Sequence, residues 1–462
     1  MERIMENFIT LAPLITCMKS FFKKNYFYLT IIFLHLLVFF YQIANNHLYM
    51  VDSREYLTQA FNIKSYGISY CADLSKPIVP IYLTLRPPVY PFFILLCKTI
   101  INSDLFVVFI QNILSVMNLI LMRNLLLQLG YNKRNDLFLL FFILSTPSQI
   151  IYANMIMSEI LVQFFIILMM VFLVRLFYHY SNGDVWGYTF SLIAALFTKP
   201  VFYLLVFPNF LGVFFYGLRK RKWILILTAF IPLLMVVGYM QWNKQRTGYA
   251  EFSGITTLNI YNYNAFMLLQ AHYEPETAKQ IIDSIDRQAS LIKEYKEQQI
   301  YFRKVSKELI FADWFTYAIL HLKGMIYFFI DPGRFDIYSI LNAERLNLHG
   351  LQYQLLHYGW HGLISYFSKM NIGLLVLLFV VFLVNLIKII LFIQFLFNRK
   401  ISMVIRGLFL FILIYVSFLS GPVGCSRFMV PVALVYLASV MLQLNSVSDR
   451  SCPHQVCVSP EK

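Results

Sequence analysis

Four short polar segments interrupt the long apolar runs of this chain, and each carries a residue suited to acid–base or phosphate chemistry. Two supply carboxylates: Asp52 follows the first apolar run, and Glu159 opens a later one. Two supply guanidinium groups: Arg86 precedes a Pro-Pro pair, and Arg427 precedes the last apolar run. A carboxylate can accept the proton of a hydroxyl, and a guanidinium can bind two phosphate oxygens at once. Ionisable groups beside apolar runs are costly unless they are used or paired.

Each of these residues also has a simpler explanation. Asp52 could cap a short helix or complement its dipole from the first turn. Glu159 could likewise cap the helix that follows it. Arg86 could be an arginine that extends its charge out of an apolar layer. Within the same segments, Glu55, Tyr56 and Tyr90 are further candidates for substrate binding.

The composition indicates which elements must position these residues. Of 462 residues, 59% are hydrophobic and only 13% are charged, about half the charge of a soluble domain. The apolar residues come in runs of roughly 18 to 25, which match helices that cross a hydrocarbon core. A membrane barrel would show alternating residues instead. We therefore predict an all-α polytopic membrane protein.

Ten spans are predicted from the apolar runs, and the distribution of basic residues orients them. Seventeen Lys and Arg fall in six predicted inside segments, whereas the short outside connections hold only Lys199 and Arg427. This bias places both termini in the cytoplasm. The four polar segments then lie on the outer face. The predicted spans are about 27–44, 104–128, 137–154, 159–179, 186–198, 201–217, 223–241, 372–397, 403–420 and 428–443.

Two outer segments are long, residues 45–103 and 242–371. The first contains an apolar stretch, 89–101, that is too short to cross, so we expect a helix along the interface. The second contains 314–330, which we expect to be interfacial or re-entrant. With these two stretches taken into account, we predict about 10 to 12 transmembrane helices. We treat residues 1–462 as one membrane domain.

Several functional classes are disfavoured. The formal charge of +15 follows from membrane topology, so no nucleic-acid partner is expected. The six cysteines suggest no disulfide framework, although Cys71 and Cys425 could pair if both face outward. The histidines show no metal-site spacing. No metal-binding residue is assigned and no cofactor is required, although dependence on a divalent metal stays open.

Taken together, the motifs resemble a known family. The pattern is Asp-x-x-x-Tyr from Asp52, Arg-Pro-Pro-x-Tyr-Pro from Arg86, Ser-Glu ending at Glu159, and Arg-Phe-x-x-Pro from Arg427. It is similar to the GT-C membrane glycosyltransferases, and more narrowly to bacterial relatives of protein O-mannosyltransferases and of the aminoarabinose transferase that modifies lipid A (glycosyltransferase family 39-like). The resemblance covers residues 52 to 431.

The resemblance implies a role for each matched residue. Asp52 matches the first-loop acid that acts as general base, Arg86 matches a basic residue that contacts the donor phosphate, and Glu159 matches a second acid near the catalytic pocket. Arg427 would add a second cation for the phosphate. The stretch Trp242-x-x-x-Arg246 is similar to the family's segment after the seventh span.

The first motif also departs from the family pattern. Ser53 stands where some relatives have a second acid, and Glu55 lies two positions later. Glu55 also occupies the place of an Arg in the aminoarabinose enzyme, with Arg54 one position earlier. Because of these differences, no role is assigned to Arg54.

The implied reaction moves a sugar from a polyprenyl-phosphate donor to a hydroxyl of a glycan, lipid or protein. It would take place among membrane lipids, on the outer face of a bacterial inner membrane. Two alternatives remain. A surface-polysaccharide polymerase or ligase would use the 13 Lys and Arg of segment 242–371. A flippase would need charges deep in the spans, where Lys388 is the one clear example.

Overall fold

The computed structural model describes residues 25–45, 47–341 and 351–448, and for 351–357 and 363 the backbone alone. Within these ranges the chain forms only helices, turns and loops. The prediction of an all-α, multi-pass membrane protein is confirmed. The predicted cytoplasmic placement of the two termini concerns residues that lie outside the described ranges.

Within the described ranges, twenty-two α-helices follow one another, and short 3-10 turns and one π-helical stretch, Asn259–Ala265, lie between some of them. In chain order they are α1 (Asn25–Asn45), α2 (Ser53–Tyr66), α3 (Ile81–Thr84), α4 (Val89–Ile100), α5 (Asp104–Gln128), α6 (Asp136–Leu144), α7 (Pro147–Ala153), α8 (Glu159–Tyr178), α9 (Asn182–Thr198), α10 (Val206–Lys220), α11 (Trp223–Thr247), α12 (Ile255–Leu258), α13 (Phe266–His272), α14 (Pro275–Ser290), α15 (Tyr295–Ala312), α16 (Trp314–Ile330), α17 (Arg334–Ile340), α18 (Leu351–Ser368), α19 (Ile372–Phe397), α20 (Met403–Ser420), α21 (Ser426–Met429) and α22 (Ala433–Ser448).

Eight helical segments in the described part of the chain are long and apolar enough to cross a membrane. They agree with eight of the ten predicted spans. Two bent helix pairs raise the number to ten if each pair crosses once, so the predicted count of 10 to 12 is met only at its lower end. The eight are α1, α5, α8, Pro200–Lys220, α11, α19, Met403–Val423 and Ser426–Val447.

The predicted continuous span 137–154 is wrong in one respect, because the helix breaks. α6 and α7 meet at an angle of 69°. Pro147 begins α7, and a proline inside a continuous helix would lack its N–H and clash with the preceding turn. Lys388 of α19 stabilises the break by donating to the Ser145 carbonyl (3.1 Å) and the Thr146 hydroxyl (2.8 Å). Lys388 therefore caps a helix end with its buried charge.

The predicted span 186–198 lies within α9, which is 17 residues long and rises about 25 Å. It is not one of the eight long apolar helices, yet it packs antiparallel against α8. Gly187 lies against Phe172 so closely that a Cβ would overlap the ring. At the other end, Lys199 contacts Glu159, the first residue of α8.

The first outer segment contains the expected short apolar helix. In α4, Phe92, Leu96 and Ile100 are exposed by 51%, 65% and 68%, whereas Tyr90 and Ile94 on the opposite face are buried. Spacing of four residues puts the exposed side chains on one stripe. Such a stripe suits a helix that lies along the membrane interface.

The second outer segment bends sharply where α15 meets α16. The angle is 97°, and Asp313 at the bend caps α16 by accepting from the Thr316 amide (3.2 Å). Residues 314–330 therefore form a helix of their own. The pair has the geometry of a broken span or a re-entrant loop.

A buried polar network joins α5, α7 and α8 to the start of the last span. Gln163 of α8 donates to the Val430 carbonyl (2.5 Å) and to Gln149 of α7 (2.7 Å). Asn118 of α5 donates to Gln163 (3.0 Å), and Gln149 donates to Ser115 (3.0 Å). Hydrogen bonds between helices hold membrane bundles together where the hydrophobic effect cannot. This network fixes α8 against the start of the last span.

α16 packs backbone to backbone against the turn that leads into the last span. A Cβ at Gly424 would overlap the carbonyl oxygen of Gly324, and one at Gly324 would overlap that of Gly421. Small residues allow helices and turns in membranes to approach this closely. The second outer segment is thereby joined to the turn before Arg427.

Replacing Gly424 by alanine should destabilise the protein by about 1–3 kcal/mol, because the added methyl group overpacks this contact. The midpoint of thermal unfolding in detergent measures the effect. Gly407→Ala is the control, since no heavy atom lies near a Cβ at that position. Equal midpoints for the two variants would contradict the close packing.

Candidate active site

The polar segments singled out in the sequence meet at one end of the bundle. Asp52 lies between α1 and α2, and Arg86 lies before α4. Glu159 begins α8, Lys199 follows α9, and Arg427 lies near the start of the last span. Together with Glu55, these residues form one continuous set of ion pairs, which we call the charge cluster. The structure thus brings together five predicted site residues, while their chemical roles stay predictions.

Arg427 is the centre of the charge cluster. Its Nη2 donates to Oδ2 of Asp52, and its Nε donates to Oε1 of Glu159 at 2.9 Å. The guanidinium therefore joins the two predicted acids directly. A planar fork with several N–H groups is suited to such a bridge.

Arg86 holds the other side of Asp52. Its Nη2 lies 2.8 Å from Oδ1 of Asp52 and 2.6 Å from Oε2 of Glu55. The guanidinium also lies over the ring of Tyr56, 5.2 Å from the centroid. Pro87 and Pro88 follow directly, so the chain enters α4 in a restricted conformation. Arg86 is thus held by two carboxylates and an aromatic ring.

Asp52 occupies the N-cap position of α2, but its side chain makes no capping hydrogen bond there. Burial by itself would raise the pKa of this carboxyl, but the guanidinium groups of Arg427 and Arg86 outweigh that effect. They lower the pKa of Asp52 to about 2. Asp52 is therefore an ionised carboxylate between two cations.

Lys199 is a member of the cluster that the sequence analysis did not assign. Its ammonium lies 2.8 Å from Oε1 of Glu159 and is largely buried. A signal for it was present: Lys199 and Arg427 were the two exceptions to the positive-inside bias. Both exceptions prove to be ion-paired to Glu159.

Glu159 is the most deeply buried acid of the cluster. Its side chain is 0% exposed, compared with 16% for Asp52. Oε1 accepts from both Lys199 and Arg427, whereas Oε2 is buried and has no hydrogen-bond partner among the described residues. A buried carboxylate oxygen without a donor is costly. A water or a substrate hydroxyl would satisfy it.

The two predicted substrate tyrosines lie beneath the charges. Tyr56 and Tyr90 are buried, and their rings meet edge to face at 4.7 Å. The Tyr56 hydroxyl lies 3.2 Å from the Ser158 hydroxyl, and Tyr90 donates to Gln111 at 2.6 Å. In this arrangement they support Arg86 and the start of α8. Their predicted role in substrate binding stays a prediction.

Formal charges balance within the cluster. Asp52, Glu55 and Glu159 supply three negative charges, and Arg86, Arg427 and Lys199 supply three positive ones. Buried ions are tolerated when they are paired and hydrogen-bonded. An anionic ligand that binds Arg86 or Arg427 must therefore compete with the carboxylates paired to them.

Two further carboxylates support the turn that carries Arg427. The Ser426 amide donates to Asp331 at 2.8 Å, and the Ser426 hydroxyl donates to Asp336 at 2.7 Å. Asp336 also accepts from Ser148 (2.6 Å) and Tyr152 (2.8 Å). Burial raises the pKa of Asp336 to about 6, despite these hydrogen bonds. Both acids belong to the second outer segment, and the sequence analysis did not identify them.

Arg246, which matched the family's segment after the seventh span, lies outside the charge cluster. Its guanidinium stacks on Trp242 at 3.5 Å from the ring centroid. It donates to the carbonyls of Ser69 (3.2 Å) and Leu83 (2.9 Å). Arg246 therefore fastens the first outer segment to the end of α11.

Two other expectations from the sequence concern a disulfide and a metal site. Cys71 and Cys425 are both free thiols, so the suggested disulfide is wrong. Among the described residues, no group of three or more His, Cys, Asp or Glu is arranged to hold a metal ion.

Comparison with known proteins gives two similar solved structures. The crystal structure of ArnT from Cupriavidus metallidurans bound to undecaprenyl phosphate is 11% identical, with a TM-score of 0.36, over 92% of this chain and 79% of that chain. The apo ArnT structure is 11% identical, with a TM-score of 0.33, over 90% and 76%. No family model matches the chain, and no curated protein matches it. At this identity, side-chain roles must be derived from the chain itself.

The buried ion pair of Glu159 and Lys199 should contribute to the free energy of unfolding. Glu159→Leu should cost about 3–5 kcal/mol, because it leaves the Lys199 ammonium buried without its carboxylate. Lys199→Met should cost less, since Arg427 still pairs with Glu159. The double variant should recover part of the Glu159→Leu loss, as measured by thermal unfolding in detergent.

The exposed pair Lys304–Glu308 provides the control, and Glu308→Leu should change the unfolding midpoint little. Strictly additive effects of the Glu159 and Lys199 substitutions would show that the two charges do not depend on each other.

Proposed function

We propose that this chain is a glycosyltransferase that uses a lipid-linked sugar. It would move the sugar from a polyprenyl-phosphate donor to an acceptor hydroxyl, on the outer face of a bacterial inner membrane. One observation carries the proposal: a partly accessible carboxylate, Asp52, lies between two guanidinium groups at one end of a membrane bundle. A base and a set of cations are the parts that this transfer needs.

The cations suit the leaving group. When the bond from the anomeric carbon to the phosphate oxygen breaks, the phosphate keeps the electron pair and gains negative charge. Arg86, Arg427 and Lys199 are placed to stabilise that charge electrostatically. Among the described contacts, Lys199 donates only to Glu159, and an ammonium has three N–H donors. A phosphate needs no protonating acid to leave.

Asp52 is the better base of the two predicted acids, because its side chain is partly exposed and that of Glu159 is not. While it is paired with both arginines, Asp52 is a weak base, since they lower its pKa to about 2. A donor phosphate would draw Arg86 and Arg427 away from Asp52. The pKa of Asp52 would then rise, so that donor binding itself prepares the base.

Glu159 acts in this proposal through its neighbours. Its Oε1 holds Lys199 and Arg427 at 2.8 and 2.9 Å, which orients two of the three cations toward the phosphate. We therefore assign it as a positioning residue. Its predicted role as a catalytic acid would require a substrate group to reach the unpartnered Oε2.

The geometry also suits a donor that stays in the bilayer. Arg86 lies directly before α4, whose exposed stripe of Phe92, Leu96 and Ile100 faces away from the bundle. A helix of this kind lies at the depth of the lipid headgroups. The isoprenoid chain could remain in the membrane while its phosphate reaches Arg86. A single displacement at the anomeric carbon would invert its configuration.

Both outer segments would contribute to the active site. Residues 45–103 supply Asp52 and Arg86, and residues 242–371 hold the Arg427 turn through Asp331 and Asp336. A transporter would need charges near the middle of the bilayer. Lys388, the deep charge, is engaged by oxygens at the α6–α7 break. This arrangement favours chemistry at the surface over passage through the bundle.

The proposal is tested by incubating purified protein with radiolabelled polyprenyl-phosphate sugars and membrane extract. Label should move to an acceptor, and Asp52→Asn should reduce the rate by about 10²–10⁴ while donor binding persists. Asp73→Asn, an exposed acid of the same segment, should keep full activity. Substantial transfer by Asp52→Asn would show that Asp52 is not the base. Absence of transfer by the wild type with every donor would refute the proposed function.

Arg86→Ala should weaken donor binding by roughly tenfold or more, because a charge-assisted contact to the phosphate is lost. The dissociation constant of a polyprenyl-phosphate sugar measures the change. Arg54→Ala is the matched control, since Arg54 is exposed and lies in the adjacent helix α2. Unchanged donor affinity in Arg86→Ala would count against the phosphate role.

A further inference from the structure

A large apolar groove has its mouth at the end of the bundle opposite the charge cluster. It has a volume of about 860 Å³ and runs between α8, α9, α10 and α20. Most of its lining is apolar, and typical lining residues are Met170, Leu192, Leu205, Leu408 and Phe411. Phe411 and Phe177, which also lines the groove, are 45% and 46% exposed. The groove therefore opens where these spans meet the hydrocarbon layer.

Basic and aromatic residues form the mouth of this groove. Arg219 and Lys220, in the last turn of α10, both line it, as does Tyr180. The Lys222 ammonium lies over the Tyr180 ring, 4.7 Å from its centroid. Arginine, lysine and tyrosine are the residues that place themselves at the level of lipid headgroups. The groove is thus apolar inside and cationic at its mouth.

The groove is distinct from the charge cluster. Glu159 begins α8 in the cluster, and Tyr178 ends α8 near the groove mouth. These 20 residues rise about 30 Å, the thickness of the hydrocarbon core. The groove mouth and the charge cluster therefore face opposite leaflets, and a phosphate held at the mouth by Arg219 and Lys220 cannot reach Asp52.

We propose that this groove binds one anionic glycerophospholipid of the leaflet opposite the charge cluster. An acyl chain would lie between α8, α10 and α20, and the headgroup phosphate would contact Arg219 and Lys220. The charge complementarity selects this occupant. A zwitterionic lipid has no net charge for the basic pair, and a water-soluble phosphate cannot use the apolar walls.

Membrane topology explains why basic residues lie on this face, but it does not explain why two of them line a groove. Arg399 and Lys400 lie on the same face, between α19 and α20, and do not line it. They serve as the matched control for a general effect of surface charge.

The test uses the full chain in a neutral detergent, with bound lipid counted by native mass spectrometry. Dioleoylphosphatidylglycerol should bind with one tight site, and dioleoylphosphatidylcholine should bind about tenfold more weakly. Arg219→Gln/Lys220→Gln should weaken phosphatidylglycerol binding by roughly 30-fold. Arg399→Gln/Lys400→Gln should leave it unchanged.

A second pair of variants blocks the groove without altering charge. Gly212 lines the groove, and a Cβ there meets open space, so Gly212→Phe should fill the groove and abolish the tight site. Gly407 also faces open space on α20 but does not line the groove, so Gly407→Phe should have no effect. This pair keeps the test decisive if the charge variants fail to fold.

Three results would overturn the proposal. The first is equal binding of phosphatidylcholine and phosphatidylglycerol, which would indicate ordinary surrounding lipid. The second is a polyprenyl phosphate that binds more tightly than phosphatidylglycerol and displaces it. The third is wild-type affinity in Gly212→Phe.

Discussion

The bridge that Arg427 makes between Asp52 and Glu159 is the interaction on which the rest of this structure depends. Asp52 and Glu159 lie 375 and 268 residues before Arg427 in the chain. Charges buried at a membrane boundary are very costly unless each has its partner. The junction of α1 and α2, the start of α8 and the start of the last span must therefore meet at one depth.

Several contacts between helices hold this junction in place. The Gln163 network fixes α8 to the Val430 segment, and the Gly324–Gly424 contact presses α16 against the preceding turn. Asp331 and Asp336 then hold Ser426, the residue next to Arg427. Because the guanidinium is fixed from several sides, little reorganisation is needed when charge develops near it. Rigid support of this kind is what an electrostatic site requires.

The charge balance of the cluster has a chemical consequence. With three carboxylates facing three cations, the cluster has no net formal charge and each cation is paired with a carboxylate. A phosphate that takes over the hydrogen bonds of Arg86 and Arg427 displaces Asp52, and the displaced carboxylate becomes a stronger base. In the proposed reaction, binding of the donor and activation of Asp52 are therefore one event.

The sequence by itself determined the helical membrane architecture, since long apolar runs can satisfy their backbone in lipid only as helices. It also singled out Asp52, Arg86, Glu159 and Arg427, because a charge at the edge of an apolar run is conspicuous. Only the tertiary structure decided that these residues pair, that Lys199 joins them and that the helix breaks before Pro147. Those outcomes depend on contacts between segments far apart in the chain, and the pattern of a single segment carries no record of its distant partners.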